Sequence, residues 1–278
     1  DGTHRKNAED PRILEPVGPG QVGDYIILGS EGLDNDGDGR VNEDPVGGYD
    51  GNRNWASNWQ PNYIQGGSMD YPFQLPEPRA VNDFLMAHPN IAGVQSYHNS
   101  GGLILRGPGA EWQGEYPRAD LSVYDELGRQ GERMLPYYRY LVIWSGLYTV
   151  HGGFVNWTAE SLGIVSFTNE MWTEGKYFQR EVNDPTDEQH RFFRERLQFG
   201  QTFKDYTEFE HPKYGPILVG GLNKWASRNT PTFMLEEECH RNFAFTAFHA
   251  VQMPLLQFGT TDIARVPNTP DLWQVTLA

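Results

Sequence analysis

Four short segments of this 278-residue chain carry side chains able to grip an anion, hold a metal or move a proton. Gly48–Trp55 sets Asn52, Arg53 and Asn54 in a loop, and an arginine's planar fork pairs a carboxylate through two parallel hydrogen bonds. Ser96–Ser100 places His98 where an apolar run ends; an imidazole there is either a metal ligand or a satisfied structural group. Tyr148 precedes Gly152-Gly153 and Asn156-Trp157, and Gly163–Thr168 delivers Asn169-Glu170 at its end. A glutamate so placed accepts a proton from water and passes it to a leaving group. A separate stretch, Asp34–Asp44, alternates Asp34, Asp36 and Asp38, turns at Gly39, and continues with the Arg40 carbonyl, Glu43 and Asp44. Alternating carboxylates converge on one hard cation, so the loop reads as calcium-type, although Pro45 stands where an EF-hand has its bidentate glutamate.

The elements that must position these groups follow from periodicity and punctuation. Residues 1–75 are rich in Gly, Asp, Asn and Pro and read as long loops. From Pro76, the helical spacing of Ala80, Val81, Phe84 and Leu85 predicts a helix closed by His88-Pro89. Ile91–Tyr97 and Leu103–Leu105 read as short buried strands flanking Gly101-Gly102, and Gly163–Thr168 as a third. Helices are expected over 121–135, 187–199 and 235–252, with Glu236-Glu237-Glu238 forming an exposed acidic face on the last. Helices alternating with short buried strands predict an α/β fold, a mixed central β-sheet covered by helices on both faces, with functional groups at strand ends. Residues 1–256 are read as one region that carries all four segments. Residues 257–278 form a tail, in which Leu272–Leu277 alternates like the start of a further β domain.

Composition narrows the partners. Lys plus Arg is 22 against 37 Asp plus Glu, a net charge of −15, which argues against nucleic acid or an anionic membrane surface. No apolar run approaches the roughly 20 residues of a spanning helix. The single Cys239 excludes an internal disulfide.

The order and spacing of the four segments, with Tyr148 placed before Glu170 and Glu77-Pro78 opening a helix ahead of the His98 strand, resemble the zinc metallocarboxypeptidases of the carboxypeptidase A type. The resemblance implies a metallocarboxypeptidase-like fold and hydrolysis of the C-terminal peptide bond of peptides or proteins. By the same resemblance His98 is a zinc ligand and Glu170 activates a zinc-bound water. Asn52 and Arg53 grip the substrate's terminal carboxylate, Tyr148 closes over it, Val155 lines the side-chain pocket, and Arg5 polarises the scissile carbonyl. Val155 would favour hydrophobic terminal residues.

The family's H-x-x-E zinc motif is not found, because none of the eight histidines is followed three residues later by Glu. The resemblance therefore implies that residues 1–256 are a partial catalytic domain whose N-terminal part is absent, that the remaining Zn2+ ligands lie outside this chain, and that this chain alone is inactive. The missing segment of the same parent protein is then a partner, beside peptide C-termini. Two alternatives stand: a non-catalytic peptide-binding relative, and an amidase or deacylase acting on small N-acyl amino acids. A structural Ca2+ in the 34–44 loop fits millimolar calcium, hence an extracellular or periplasmic setting.

Overall fold

A computed structural model describes residues 2–8, 10–28, 49–178, 196, 198–223, 228–254, 259 and 261–277. The calcium-type loop, with Asp34, Asp36, Asp38, Arg40, Glu43 and Asp44, lies outside the described residues, as does nearly all of the helix expected over 187–199.

The first described strands are β1 (His4–Lys6) and β2 (Leu14–Pro16), an antiparallel pair inside the region expected to be loop. Helix α1 (Pro76–Ala87) starts at the proline, whose missing N–H is no loss in a first turn, and ends where His88 N–H caps Leu85 O. The centre is a four-stranded mixed sheet of β3 (Gly93–Asn99), β4 (Leu103–Arg106), β5 (Arg139–Val142) and β6 (Val165–Met171). Its order is β3-β6-β4-β5: β3 runs parallel to β6, β4 antiparallel to β6, and β5 parallel to β4. β5 was not expected. It has only four residues, and its pairing with β4 makes it a strand.

Helix α2 (Arg118–Met134) and a later helix, Leu235–Gln252, cover one face of this sheet. Ile104 and Phe167, both 0% exposed, point from the sheet into a core with Tyr124, Leu127, Leu135 and Phe245. At Gly131 of α2 a Cβ would stand 2.5 Å from Ile104 and 2.8 Å from Phe245, so the helix lies closer to the sheet than any side chain allows. The opposite face is covered by short helices, α3 (Ile143–Gly146) and α4 (Phe154–Asn156), the latter continuing as a π-helix over Trp157–Ser161. There Leu103 and Leu105 pack on Ile143, Val150 and Val155. The two-residue period of β4 thus sends alternate residues to two separate cores.

Beyond the sheet come α5 (Glu174–Phe178), the hairpin of β7 (Phe203–His211) and β8 (Gly215–Leu222), and α6, the Leu235–Gln252 helix. The hairpin was not anticipated. The strand expected at 272–277 is present as β10 (Trp273–Leu277), antiparallel to β9 (Thr261–Arg265).

One expectation is overturned. Glu238 is not on an exposed face: it is 1% exposed and receives Lys176 Nζ at 2.8 Å, Trp172 N–H at 2.9 Å, Asn242 Nδ2 at 3.1 Å and the Tyr138 hydroxyl. An acidic run on a helix ordinarily faces water, but here the lysine of α5 neutralises the one carboxylate that turns inward. From Glu238 a chain of side-chain amides runs behind the sheet. Asn169 Nδ2 donates to Asn242 Oδ1 at 2.8 Å, Gln95 Nε2 donates to Asn169 Oδ1 at 2.9 Å, and Gln95 Oε1 lies 3.2 Å from His249 Nδ1.

Candidate active site

On the face opposite that chain, β3 and β6 present His98 and Glu170 side by side. The parallel register pairs the two residues directly, and His98 Nδ1 lies 3.9 Å from Glu170 Oε1. Both are half-buried. Burial lowers the His98 pKa, and the Arg53 guanidinium lowers it further against a smaller opposing effect of Asp50, so the imidazole is neutral and keeps a lone pair for a ligand. Burial pushes the Glu170 carboxyl up to about 7, although Arg53 and Arg228 pull it back. A carboxylate tuned near neutrality both takes and returns a proton under working conditions.

The guanidinium of the site comes from the Asp50–Trp55 loop. Asp50 Oδ1 accepts from Asn52 N–H at 2.8 Å and caps a short turn over Gly51–Arg53. Asn52 bridges two parts of the site: Nδ2 reaches His98 Nε2 at 3.5 Å, and Oδ1 accepts from Phe154 N–H at 2.8 Å. Arg53 donates to its neighbour's carbonyl, Asn52 O, at 2.8 Å and to Tyr148 Oη at 3.4 Å, with Asp50 Oδ2 3.8 Å from its Nε. Asn54, 0% exposed, ties the loop down: Nδ2 donates to Ser68 O and Tyr71 O, and Oδ1 accepts from Leu75 N–H. Gly152, at φ +65°, makes the contact with the next segment. A Cβ there would stand 2.2 Å from Arg53 O, and Gly152 O accepts from Trp55 N–H at 3.0 Å.

These groups surround one cleft. Asn52, Arg53, Tyr148, His98 and Glu170 line it, with an apolar wall of Leu105, Ile143, Leu147, Val150 and Val155. Tyr148 is 53% exposed at the mouth, whereas Val155 is 5% exposed. Six of the seven residues expected here are thus gathered together. Arg5 is not among them: it lies on β1, its Nε donating to Glu15 Oε1 at 3.0 Å. Three contributors were given no role in the sequence reading. Thr168 and Asn156 line the cleft, and Arg228 comes close enough to Glu170 to lower its pKa. Thr168 was legible in principle, being two residues before Glu170 and so on the same face of β6. Nothing in the local sequence marks Arg228.

A catalytic zinc takes three protein ligands and keeps a fourth position open. Among the described residues no three His, Cys, Asp or Glu side chains come together. His98 and Glu170 by themselves therefore do not fit a zinc centre, since one imidazole supplies only a third of its protein donors.

The chain belongs to the zinc carboxypeptidase family, whose profile it matches over residues 27–208. It is similar to carboxypeptidase A from Helicoverpa armigera, with 24% identity over 43% of this chain and 32% of that one, at a TM-score of 0.36. It is also similar to thrombin activatable fibrinolysis inhibitor, with 27% identity, 46% and 35% coverage, and a TM-score of 0.40. The bovine form of that protein, in complex with tick carboxypeptidase inhibitor, gives 19% identity, 73% and 57% coverage, and a TM-score of 0.45. The chain spans about a third of the first two structures, 32% and 35% of their length. No curated protein sequence matches it. Among the described residues no helix is long and apolar enough to cross a membrane.

Proposed function

We propose that this chain carries the substrate clamp and the general base of a carboxypeptidase acting on the C-terminal bond of peptides. The observation that carries the reading is the pairing of Arg53 with Tyr148 across the mouth of an apolar cleft that also holds the in-register His98 and Glu170. Arg53 binds the terminal carboxylate through its fork, and the exposed Tyr148 folds over it. The terminal side chain enters between Val155 and Ile143, which favours apolar residues. Glu170 takes a proton from a water beside the scissile carbonyl and delivers it to the departing amine. Asn52 holds both the loop and His98 in place.

Zinc is the metal this family uses, and His98 is the ligand we assign among the described residues; the other two lie outside them. In the same reading Asp34–Asp44 holds a structural calcium and the protein works outside the cytoplasm. Titration of the zinc-supplemented parent protein with a peptide acid and the matching C-terminal amide tests the reading. The acid should bind and be cleaved, and the amide should do neither. Equal binding of acid and amide, or binding without turnover, would remove the enzyme reading, the latter in favour of a peptide-binding relative.

A further inference from the structure

Asn156 lines the cleft and is 2% exposed. The sense of its amide is set by its neighbours. Nδ2 donates to Glu160 Oε1 at 3.0 Å, which places the nitrogen on that side. Glu160 is itself held by Gln113 Nε2 at 2.7 Å, the Tyr116 hydroxyl at 3.2 Å and the Ser57 hydroxyl, which leaves the amide no room to turn over. The oxygen faces Gly153, where a Cβ would stand 2.6 Å from it, and Gly153 is part of the cleft lining. Among the described residues this buried Oδ1 has no hydrogen-bond partner. The same cleft is lined by the apolar Leu105, Ile143, Val150 and Val155, by the hydroxyls of Thr168 and Tyr148, and by Asn52, Arg53, His98 and Glu170.

We propose that Asn156 is a specificity-determining residue. Its Oδ1 accepts a hydrogen bond from a neutral donor on the side chain of the peptide's C-terminal residue, an assignment that rests on the carboxypeptidase reading. A buried acceptor left unmet is costly, and a site built to meet a hydroxyl or amide rejects the analogue that lacks it far more strongly than an apolar wall rejects a polar group. The donor is neutral because Asn156 carries no charge and Glu160 already receives four donors. Val155 and its neighbours then set the width of the pocket, and Asn156 reads what lies at its end.

Calorimetric titration with N-benzoylglycyl peptides ending in Thr or Val, Gln or Met, and Tyr or Phe probes three donor depths at nearly constant shape. The donor-bearing member of at least one pair should bind roughly tenfold more tightly. Asn156→Leu should abolish that preference while keeping the discrimination of acid from amide, which reads the Arg53 clamp alone. Gly153→Ala, whose methyl group covers the oxygen, should do the same if Asn156→Leu fails to fold. Equal affinity within all three pairs, or a preference that survives both substitutions, overturns the assignment and leaves the clamp intact. Loss of acid-over-amide discrimination in the unsubstituted protein instead overturns the carboxypeptidase reading, and no binding of any peptide overturns both.

Discussion

His249 makes the fold sensitive to acid, by an amount the structure allows to be worked out. The ring is 2% exposed, stacked on Phe245 and edge-on to Phe167, and Nδ1 donates to Gln95 Oε1 at 3.2 Å. Nε2 has no partner among the described residues, so a second proton there would be buried without compensation. Burial accordingly lowers the pKa from 6.5 to about 4. The unfolded chain takes up this proton as pH falls below 6.5, and the folded chain does so only near 4. Stability is therefore lost across that window, by about 1.4 kcal/mol per pH unit and about 3 kcal/mol in all. Glu170 acts in the opposite sense between about 7 and 4.5, because its raised pKa lets the folded state bind a proton first. The test is thus a difference: urea unfolding of the protein and of His249→Leu at several values from pH 7.5 to 4. The substitution should be destabilising by about 1 kcal/mol at pH 7.5, where Gln95 loses its donor, and should overtake the unsubstituted protein in acid. Parallel pH dependence of the two proteins would refute the reasoning, as would an NMR titration of the His249 ring with its midpoint near 6.5.

The remaining predictions concern the cleft, the buried ion pair and the acidic loop. Arg53→Met should weaken binding of peptide acids by about 2 kcal/mol, some thirtyfold in Kd, and leave amides unaffected in the same titration. Glu170→Gln should reduce hydrolysis by the zinc-supplemented parent protein about 10²- to 10⁴-fold without loss of peptide affinity, read by separate rate and binding measurements. Glu238→Gln leaves Lys176 with Glu237 as its remaining ion-pair partner among the described residues. The loss should sit near the lower end of the usual 3–5 kcal/mol for breaking a buried pair, measured by the urea midpoint. Chelation of calcium should lower Tm if Asp34–Asp44 holds the ion, and an unchanged Tm removes that assignment.

The site was legible in the sequence because its parts obey short-range rules, and the network behind it was not because its parts do not. His98 and Glu170 each end an apolar run, and parallel pairing of the two runs is enough to set them side by side. The same period that turns Glu170 toward the cleft turns Asn169 to the other face, where its partner, Asn242, lies 73 positions along the chain. Glu238 shows why such pairs escape a local reading. Three consecutive glutamates on a helix read as a solvated face, and only Lys176, 62 residues earlier, makes one of them an interior group. Arg5 is the converse case, since a short flanking motif located it by resemblance alone and the structure pairs it with Glu15 across a two-stranded ribbon. Two faces of β6 thus carry different kinds of information. Thr168 and Glu170 face chemistry, whereas Phe167 and Asn169 fix the strand against α6 through the aromatic contact with Phe245 and the amide pair with Asn242. Because β3 is tied to the same helix by Gln95 on His249 and by Tyr97 on Thr246, the alignment of His98 with Glu170 depends on α6 as well as on the strand pairing itself. Substitutions in that helix should therefore disturb the His98–Glu170 pair without touching the cleft, an effect no reading confined to the motifs would anticipate.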